Sequence, residues 1–201
     1  MKKSHRLMVS NKNLKFYPLI HDRWQDFEKL FGKNGACAGC WCMFNRLTRK
    51  EFEAGQYDKN KRAMKKIVGN GREPGILAYL NGEVVGWCSV EPREKFEALK
   101  KSRVFKPVDD TPTWIISCVF VDKNYRNMGV SEGLIKAAVK HVKKNGGVAV
   151  EGCPVEPRKD RMPDVFAYYG LPSSFKKAGF KEIARRTEIR PLMRYTIKKS
   201  K

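Results

Sequence analysis

Three cysteines lie within six consecutive positions in the segment Gly35-Ala-Cys-Ala-Gly-Cys-Trp-Cys42. Their spacing, C-x₂-C-x-C, is compatible with a zinc site, a redox-active thiol pair or the packed wall of a tight turn. A structural zinc ion needs four ligands, so Cys37, Cys40 and Cys42 would require a fourth ligand from elsewhere in the chain. We therefore expect no metal site. We interpret the segment as the wall of a pocket, with thiol chemistry left open.

A second group of residues suited to chemistry follows the apolar run at 114–121. The turn Arg126-Asn-Met-Gly129 comes directly before a segment of helical periodicity that begins at Val130. Glycine lets the backbone amides of such a turn face outward together, and the positive end of the helix adds to them. A strand, a glycine-bearing turn and a helix N-terminus in this order can hold a pyrophosphate group. The spacing matches neither the P-loop nor the dinucleotide fingerprint, so an ordinary strand-to-helix connection stays open as the alternative.

Composition and charge limit the class of protein. The chain has 201 residues, of which 41% are hydrophobic and 11% aromatic, as expected for a folded domain rather than a disordered chain. Lysine and arginine outnumber aspartate and glutamate by 42 to 21, and the net charge of +21 attracts anionic ligands. The basic residues are scattered rather than arranged in a stripe, so a nucleic-acid partner stays open but is not favoured.

The distribution of apolar residues predicts no membrane partner. No stretch approaches the ~20 apolar residues that a membrane-spanning helix needs. No apolar run of signal-peptide length follows Met1-Lys-Lys3. We therefore expect a cytoplasmic protein whose six cysteines stay reduced. Nothing in the sequence indicates the oligomeric state.

The hydrophobic pattern predicts the elements that must position these residues. Apolar periodicity and turn residues indicate a single α/β domain over residues 1–201, in which 1–72 are mainly helical and 73–198 hold the sheet. The strongest local signals are a capping box at Thr48–Glu51 and Asn81-Gly82 as the turn of a β-hairpin. The predicted strands are 14–20, 75–80, 83–90, 114–121, 147–152, 181–188 and 191–198. The predicted helices are 22–31, one that begins after Thr48, 58–69, 95–101, 130–144 and 173–178, with a long loop at 153–170.

Three segments, taken in order, resemble motifs of the GNAT (GCN5-related N-acetyltransferase) superfamily. The segment Arg126-x-x-Gly129-x-Ser131 is similar to the motif [QR]-x-x-G-x-[GA] that binds the pyrophosphate of acetyl-CoA, with serine at the last position. The hairpin Gly75–Arg93 looks like the second and third strands of that superfamily. The segment Leu171–Arg186 looks like its closing helix-to-strand segment.

The resemblance implies a fold and a reaction. The implied fold is α/β: a mixed, mostly antiparallel central sheet of six to seven strands, splayed between strands 4 and 5 and flanked by helices. Pantetheine enters the split in such a sheet, and the acetyl group of acetyl-CoA, the co-substrate, passes directly to an acceptor amine. On this basis 73–198 carry the acetyl-CoA site and 1–72 form the acceptor side.

The same resemblance assigns residues to acetyl-CoA. The backbone N–H of Val119 falls where the superfamily polarises the thioester carbonyl, and Val121 falls where main-chain bonds to pantetheine form. Arg126 adds positive charge beside the pyrophosphate. The turn amides implied to bind that pyrophosphate belong to Asn127, Met128, Gly129, Val130 and Ser131.

Two catalytic roles fall on residues outside these motifs. The superfamily often has a tyrosine that protonates the departing thiolate, but Phe175 stands at that position. Tyr169 is therefore the candidate acid and Tyr168 the reserve, with two packed aromatic side chains as the alternative. Glu151 on the predicted fifth strand and Glu91 at the end of the third are candidates for the base. The alternative for either glutamate is a solvated or ion-paired side chain.

The segment between the first two helices usually lines the acceptor side of the cleft in this superfamily. We therefore expect Trp41 and Phe44 to contact the acceptor. The resulting hypothesis is an acetyl-CoA-dependent N-acyltransferase acting on a primary amine of a small-molecule or peptide acceptor. Two alternatives stay open: a non-catalytic basic protein that binds RNA or the ribosome with the same fold, and a zinc-dependent interaction module built on Cys37, Cys40 and Cys42.

Overall fold

The computed structural model of the chain describes residues 13–157 and 168–198. The segment after Met1 and part of the predicted loop 153–170 lie outside these ranges. The strands are β1 (Leu14–Pro18), β2 (Gly75–Leu80), β3 (Glu83–Pro92), β4 (Trp114–Val121), β5 (Ala149–Gly152), β6 (Lys181–Thr187) and β7 (Arg190–Thr196). The helices are α1 (Trp24–Phe31), α2 (Arg49–Ala54), α3 (Asp58–Gly69), α4 (Val130–Lys144) and α5 (Pro172–Lys177). Among the described residues, no helix has the length and apolar character needed to cross a membrane.

The strands form one mixed sheet. Its order is β1-β2-β3-β4-β5-β7-β6, and every neighbouring pair is antiparallel except β4 and β5. Parallel neighbours need a crossover connection, and α4 supplies it between β4 and β5. This arrangement confirms the predicted α/β fold with a mostly antiparallel sheet flanked by helices.

Local sequence signals account for several of these elements. Asn81 and Gly82 take positive φ values of 52° and 86°, as the tight turn between β2 and β3 requires. At the start of α2 the side chain of Thr48 accepts a hydrogen bond from the backbone N–H of Glu51, and the carboxylate of Glu51 accepts one from the backbone N–H of Thr48. The predicted helix at 95–101 is instead two 3₁₀ turns, Arg93–Lys95 and Glu97–Lys101.

The two faces of the sheet bury different hydrophobic clusters. On one face α4 packs its buried side chains, such as Leu134 and Ile135, against apolar residues of the strands. On the other face α1 and the segment after it form an aromatic cluster around Trp87 of β3. The ring of Phe27 packs against both Trp87 and Phe31, with centroid distances of 4.9 Å to Trp87 and 4.0 Å to Phe31. Burial of both faces fixes β4 in the middle of the molecule.

The sheet is split between β4 and β5. These strands pair only from Trp114↔Val150 to Ile116↔Gly152. Beyond this point β4 continues from Ser117 to Val121 and pairs only with β3. The chain leaves β5 at Gly152 and runs into Cys153-Pro154, and proline has no N–H to extend a ladder. The predicted splay between strands 4 and 5 is confirmed, and it exposes one backbone edge of β4.

Two buried carboxylates tie the strands around the split to neighbouring segments. Glu151 on β5 is 0% exposed and pairs with Arg93 and with Arg194, whose Nη2 lies 2.6 Å from Oε1 of Glu151. Glu91 on β3 is paired in the same way with Arg46 and Arg72. A buried charge is tolerated only with such partners, so each carboxylate holds two segments together.

We predict that Glu151→Gln destabilises the fold by about 3 kcal/mol or more, because it leaves two guanidinium groups beside a neutral, buried amide. The free energy of unfolding from urea titration measures this loss. Glu53→Gln, which breaks an exposed pair with Arg49 on α2, is the matched control and should leave the unfolding midpoint unchanged. Equal midpoints for the two variants would show that the buried ion pairs do not stabilise the sheet.

Candidate active site

A cleft of about 970 Å³ opens where β4 and β5 separate. Its walls come from β4 between Ser117 and Val121, the turn into α4, the segment 168–177 and the segment 36–45, together with Phe31 of α1 and Phe52 of α2. The exposed edge of β4 and the N-terminus of α4 therefore face the same space as the cysteine segment.

A β-bulge shapes the floor of this cleft. The pairing of β3 with β4 passes from Ser89↔Cys118 to Val90↔Ile116, so Ser117 is an extra residue on β4. The carbonyl oxygen of Ser117 accepts a hydrogen bond of 3.2 Å from Nδ2 of buried Asn45. The hydroxyl of Ser117 donates to the hydroxyl of Ser89 at 3.0 Å. These bonds hold the backbone directly before Cys118 and Val119 in one conformation.

The N-terminus of α4 forms one end of the cleft. Gly129 caps the helix in the left-handed region with φ of 76°, and Asn127 also has a positive φ of 61°. The first helical bond runs from the N–H of Gly133 to the carbonyl of Gly129 at 3.0 Å. The preceding amides, Val130 to Glu132, have no acceptor within the helix. Together with the positive end of the helix dipole, they are suited to bind an anion.

The charged side chains that line the cleft near the start of α4 and on α5 are compatible with a bound anion. Arg126 is exposed, and its Nε donates a long bond of 3.4 Å to the carbonyl of Val121. Lys177 of α5 also lines the cleft. The carboxylate of Glu132 lies 2.7 Å from Nζ of Lys136, one turn further along α4, and this pairing offsets its negative charge.

The structure brings together nearly all the residues that the sequence assigned to acetyl-CoA. Val119, Val121, Arg126, Asn127, Gly129, Val130 and Ser131 all line the cleft. Met128 does not, because its side chain packs against the core formed with α4.

The two tyrosines differ in position. Tyr168 lines the cleft, and its ring meets Phe44 edge-on with centroids 6.0 Å apart. Burial raises the pKa of Tyr168, so its hydroxyl stays protonated. Tyr169 is buried, donates a hydrogen bond of 3.1 Å to Oδ1 of Asn45 and lies under the guanidinium of Arg190. The structure therefore favours Tyr168 over Tyr169 as the cleft tyrosine, the reverse of the predicted order.

The two glutamates predicted as bases do not reach the cleft. Glu91 and Glu151 are enclosed by the arginine pairs described above, and neither lines the cleft walls. Hydrogen bonds from arginine occupy the oxygen atoms of both carboxylates, so these oxygens are not available to an amine in the cleft. The ion-paired alternative describes both residues.

The two aromatic residues predicted to contact the acceptor are also separated. Phe44 is 45% exposed, lines the cleft and packs edge-on against Phe52. Trp41 is only 3% exposed and lies in the aromatic cluster, stacked on Phe31 with centroids 5.7 Å apart. Trp41 is therefore a core residue rather than a cleft residue, because the tight turns at 36–42 direct its ring inward.

The cysteine segment forms part of the cleft wall, as expected. Cys37, Cys40 and Cys42 line it together with Cys118 of β4, which the sequence did not single out. The part of the chain that the structure describes contains no group of three or more histidine, cysteine or acidic side chains arranged to hold a metal ion. Alternation along β4 is the signal that would have found Cys118, because it places this residue on the face opposite Val119.

Known structures share this fold. The PaiA N-acetyltransferase from Thermoplasma acidophilum, in complex with coenzyme A, is 11% identical, with 92% of this chain and 99% of that chain covered and a TM-score of 0.51. AAC(6')-Iy, in complex with the bisubstrate analogue CoA-S-monomethyl-acetylneamine, is 16% identical, with 86% and 94% covered and a TM-score of 0.51. The NatC complex bound to Gag peptide and CoA is 9% identical, with 92% and 99% covered and a TM-score of 0.51. At these identities the likeness is one of fold.

The family is shown by sequence. No curated protein sequence matches the chain. The sequence profile of the acetyltransferase (GNAT) family, for which acetyl-CoA is the co-substrate, matches residues 41–160, which is more than half of the 201 residues. This range begins at Trp41, near the end of the cysteine segment, and includes β4 with its bulge and the N-terminus of α4. The chain therefore belongs to the acetyltransferase (GNAT) family.

Proposed function

We propose that the protein transfers the acetyl group of acetyl-CoA directly to a primary amine of an acceptor bound beside the cysteine segment. The observation that carries this proposal is the combination, in one cleft, of an exposed β4 edge and the uncapped amides of α4. Pantetheine is an extended chain with amide groups, so it can pair with a strand edge as an added strand does. A pyrophosphate fits the helix N-terminus at the end of that edge.

Val119 has the central catalytic role in this proposal. Its backbone N–H would donate a hydrogen bond to the thioester oxygen, where negative charge develops as the amine attacks the carbonyl carbon. The bulge at Ser117, held by Asn45, fixes the direction of the following peptide groups before substrate binds. A donor that is fixed in advance does not have to reorganise during the reaction.

Tyr168 is the proposed acid. A CoA thiol has a pKa near that of free cysteine, about 8.5, so the departing thiolate needs only modest help from a proton donor. The hydroxyl of Tyr168 stays protonated in the cleft and can supply that proton, but its raised pKa makes it a weak acid, so the expected gain in rate is small. The carboxylate that lines the described part of the cleft, Glu132, lies at the phosphate end. We infer that the proton of the amine leaves through water in the open cleft.

The lining of the acceptor side favours an apolar amine. The cleft residues on that side are mainly aromatic, alanine and cysteine side chains: Phe31, Ala36, Ala38, Cys40, Phe44 and Phe52. Such a surface gains free energy by burying aromatic or aliphatic groups and offers few partners for the hydroxyl groups of a sugar. The net charge of +21 also repels polycations.

An acceptor panel tests this function. With acetyl-CoA and arylalkylamines, aliphatic monoamines, spermidine, an aminoglycoside and peptides as acceptors, we expect the fastest release of free CoA thiol with an apolar monoamine. Thiol release without an acceptor measures background hydrolysis. No acceptor-dependent release from any amine, with acetyl-CoA bound, would contradict the proposed transfer.

The phosphate cradle is tested by ligand-induced stabilisation. Acetyl-CoA should raise the melting temperature of the wild type, because it binds the folded state. Arg126→Ala combined with Gly129→Glu should abolish that rise, since one positive charge is lost and a carboxylate enters the cradle. Lys140→Ala combined with Gly69→Glu is the control: both positions are exposed, outside the cleft lining, and space is open at Gly69. A full rise in the folded Arg126/Gly129 variant would place acetyl-CoA elsewhere.

The role of Tyr168 is tested by comparing two hydroxyl deletions. Tyr168→Phe should lower kcat about tenfold or more with little change in acetyl-CoA affinity. This is less than the ~10²–10⁴-fold typical of positioned proton transfer, because the thiolate is already a fair leaving group. Tyr169→Phe should mainly lower thermal stability, because it removes the bond to Asn45. Steady-state kinetics on the best acceptor and melting temperatures separate the two effects. Full turnover by Tyr168→Phe would assign the proton donor to water.

A further inference from the structure

Two cysteines from distant parts of the chain meet in the wall of the cleft. Cys42 ends the cysteine segment, and Cys118 follows the bulge on β4. Both side chains line the cleft and belong to the same packed cluster on the Trp87 face of the sheet. Two thiols that share one cleft wall and one packed cluster can be joined as a disulfide when an oxidant enters the cleft.

Hydrogen-bond donors and positive charge surround the sulfur of Cys42. The indole Nε1 of Trp87 donates a hydrogen bond of 3.1 Å to it. The guanidinium of Arg46, 2% exposed, also faces it, and its buried Nε has no hydrogen-bond partner among the described protein groups. A donor left without a partner in the interior costs free energy, and an anionic sulfur at Cys42 would lower that cost.

The charge of buried Arg46 is only partly balanced. Arg46 shares the carboxylate of Glu91 with Arg72, whose side chain is 36% exposed. A thiolate at Cys42 would add a second negative charge beside the guanidinium of Arg46.

The ionisation of the cysteines agrees with this geometry. The hydrogen bond from Cys118, the charge of Arg46 and hydrogen bonds from Trp87 and Ser89 lower the pKa of Cys42 against the opposing effect of burial. The shared hydrogen bond and burial raise the pKa of Cys118. Burial raises the pKa of Cys40 to about 11 and also raises that of Cys88. A thiolate at Cys42 therefore lies beside a protonated thiol.

We propose that Cys42 and Cys118 form an oxidisable thiol pair, in which Cys42 is the site of attack on hydrogen peroxide or a small organic hydroperoxide and Cys118 resolves the product. A reactive thiolate next to a second thiol is the arrangement found at peroxide-sensitive sites. This inference needs no bound acetyl-CoA and stands apart from the proposed function.

The reaction has two balanced steps. The sulfur of Cys42 attacks one peroxide oxygen, the O–O bond breaks, hydroxide leaves and takes up a proton to form water, and Cys42 becomes a sulfenic acid. The sulfur of Cys118 then attacks the sulfur of Cys42, an S–S bond forms, and the proton of Cys118 leaves with the sulfenic hydroxyl as a second water. The two thiols lose two electrons and the peroxide gains them. Dithiothreitol should reverse the reaction.

Mass spectrometry of the peroxide-treated, folded protein tests the pair. We expect the wild type to lose two hydrogens and to yield a peptide with a Cys42–Cys118 disulfide, and dithiothreitol should restore the original mass. Cys118→Ser should form no disulfide and should instead carry a dimedone adduct, a trap for sulfenic acid, on Cys42. Cys42→Ser should give neither product. Circular dichroism verifies that each variant is folded.

Cys40→Ser is the matched control, because Cys40 lines the same cleft but has a raised pKa. This variant should form the Cys42–Cys118 disulfide at the wild-type rate. A disulfide between Cys37 and Cys40, or a wild type whose thiols all stay titratable after peroxide treatment, would overturn the proposal. A dimedone adduct on Cys40 rather than Cys42 in Cys118→Ser would overturn it as well, independently of how Cys42→Ser folds.

Discussion

The separation of β4 from β5 is the constraint on which the rest of the structure depends. After Ile116↔Gly152 the two strands no longer pair, so the backbone of β4 from Ser117 to Val121 has an edge without a strand partner inside the fold. An unpaired edge is tolerated where water or a ligand can reach it. The cleft provides that access, and the bulge, the N-terminus of α4 and the cysteine segment are all placed around the same edge.

A polar network holds the open edge in place. Asn45 donates to the carbonyl of Ser117 at 3.2 Å and accepts from the hydroxyl of Tyr169 at 3.1 Å, so it joins the N-terminal segment, β4 and the chain before α5. Glu91 on β3 and Glu151 on β5 lie on the two strands that flank β4, and their ion pairs hold further segments of the chain in place. These groups position the cleft rather than react in it.

Sequence predicted the features that local interactions decide. The capping box of α2, the Asn81-Gly82 turn and the helix from Val130 to Lys144 were all confirmed, because neighbouring residues determine them. The exception is 95–101, where the short segment forms 3₁₀ turns rather than an α-helix. The motif at 126–131 also predicted the turn and the helix N-terminus that line one end of the cleft, since these depend on one turn and one helix end.

Side-chain roles that depend on distant partners were not predictable in this way. Tyr169 does not line the cleft because its hydroxyl donates a hydrogen bond to buried Asn45. Trp41 does not line it because backbone turns direct its ring into the aromatic cluster. Glu91 and Glu151 have the residue type of a base, but arginines remote in sequence enclose them. Cys42 and Cys118 meet only because β4 passes under the cysteine segment, and no local pattern links them.

A crystal structure of the protein with acetyl-CoA tests the account most directly. We predict that pantetheine lies along β4 between Ser117 and Val121, with the thioester oxygen within hydrogen-bond distance of the N–H of Val119. The pyrophosphate should contact the amides between Asn127 and Ser131. Acetyl-CoA bound at another surface, or bound in the cleft with its phosphates away from the N-terminus of α4, would contradict the account.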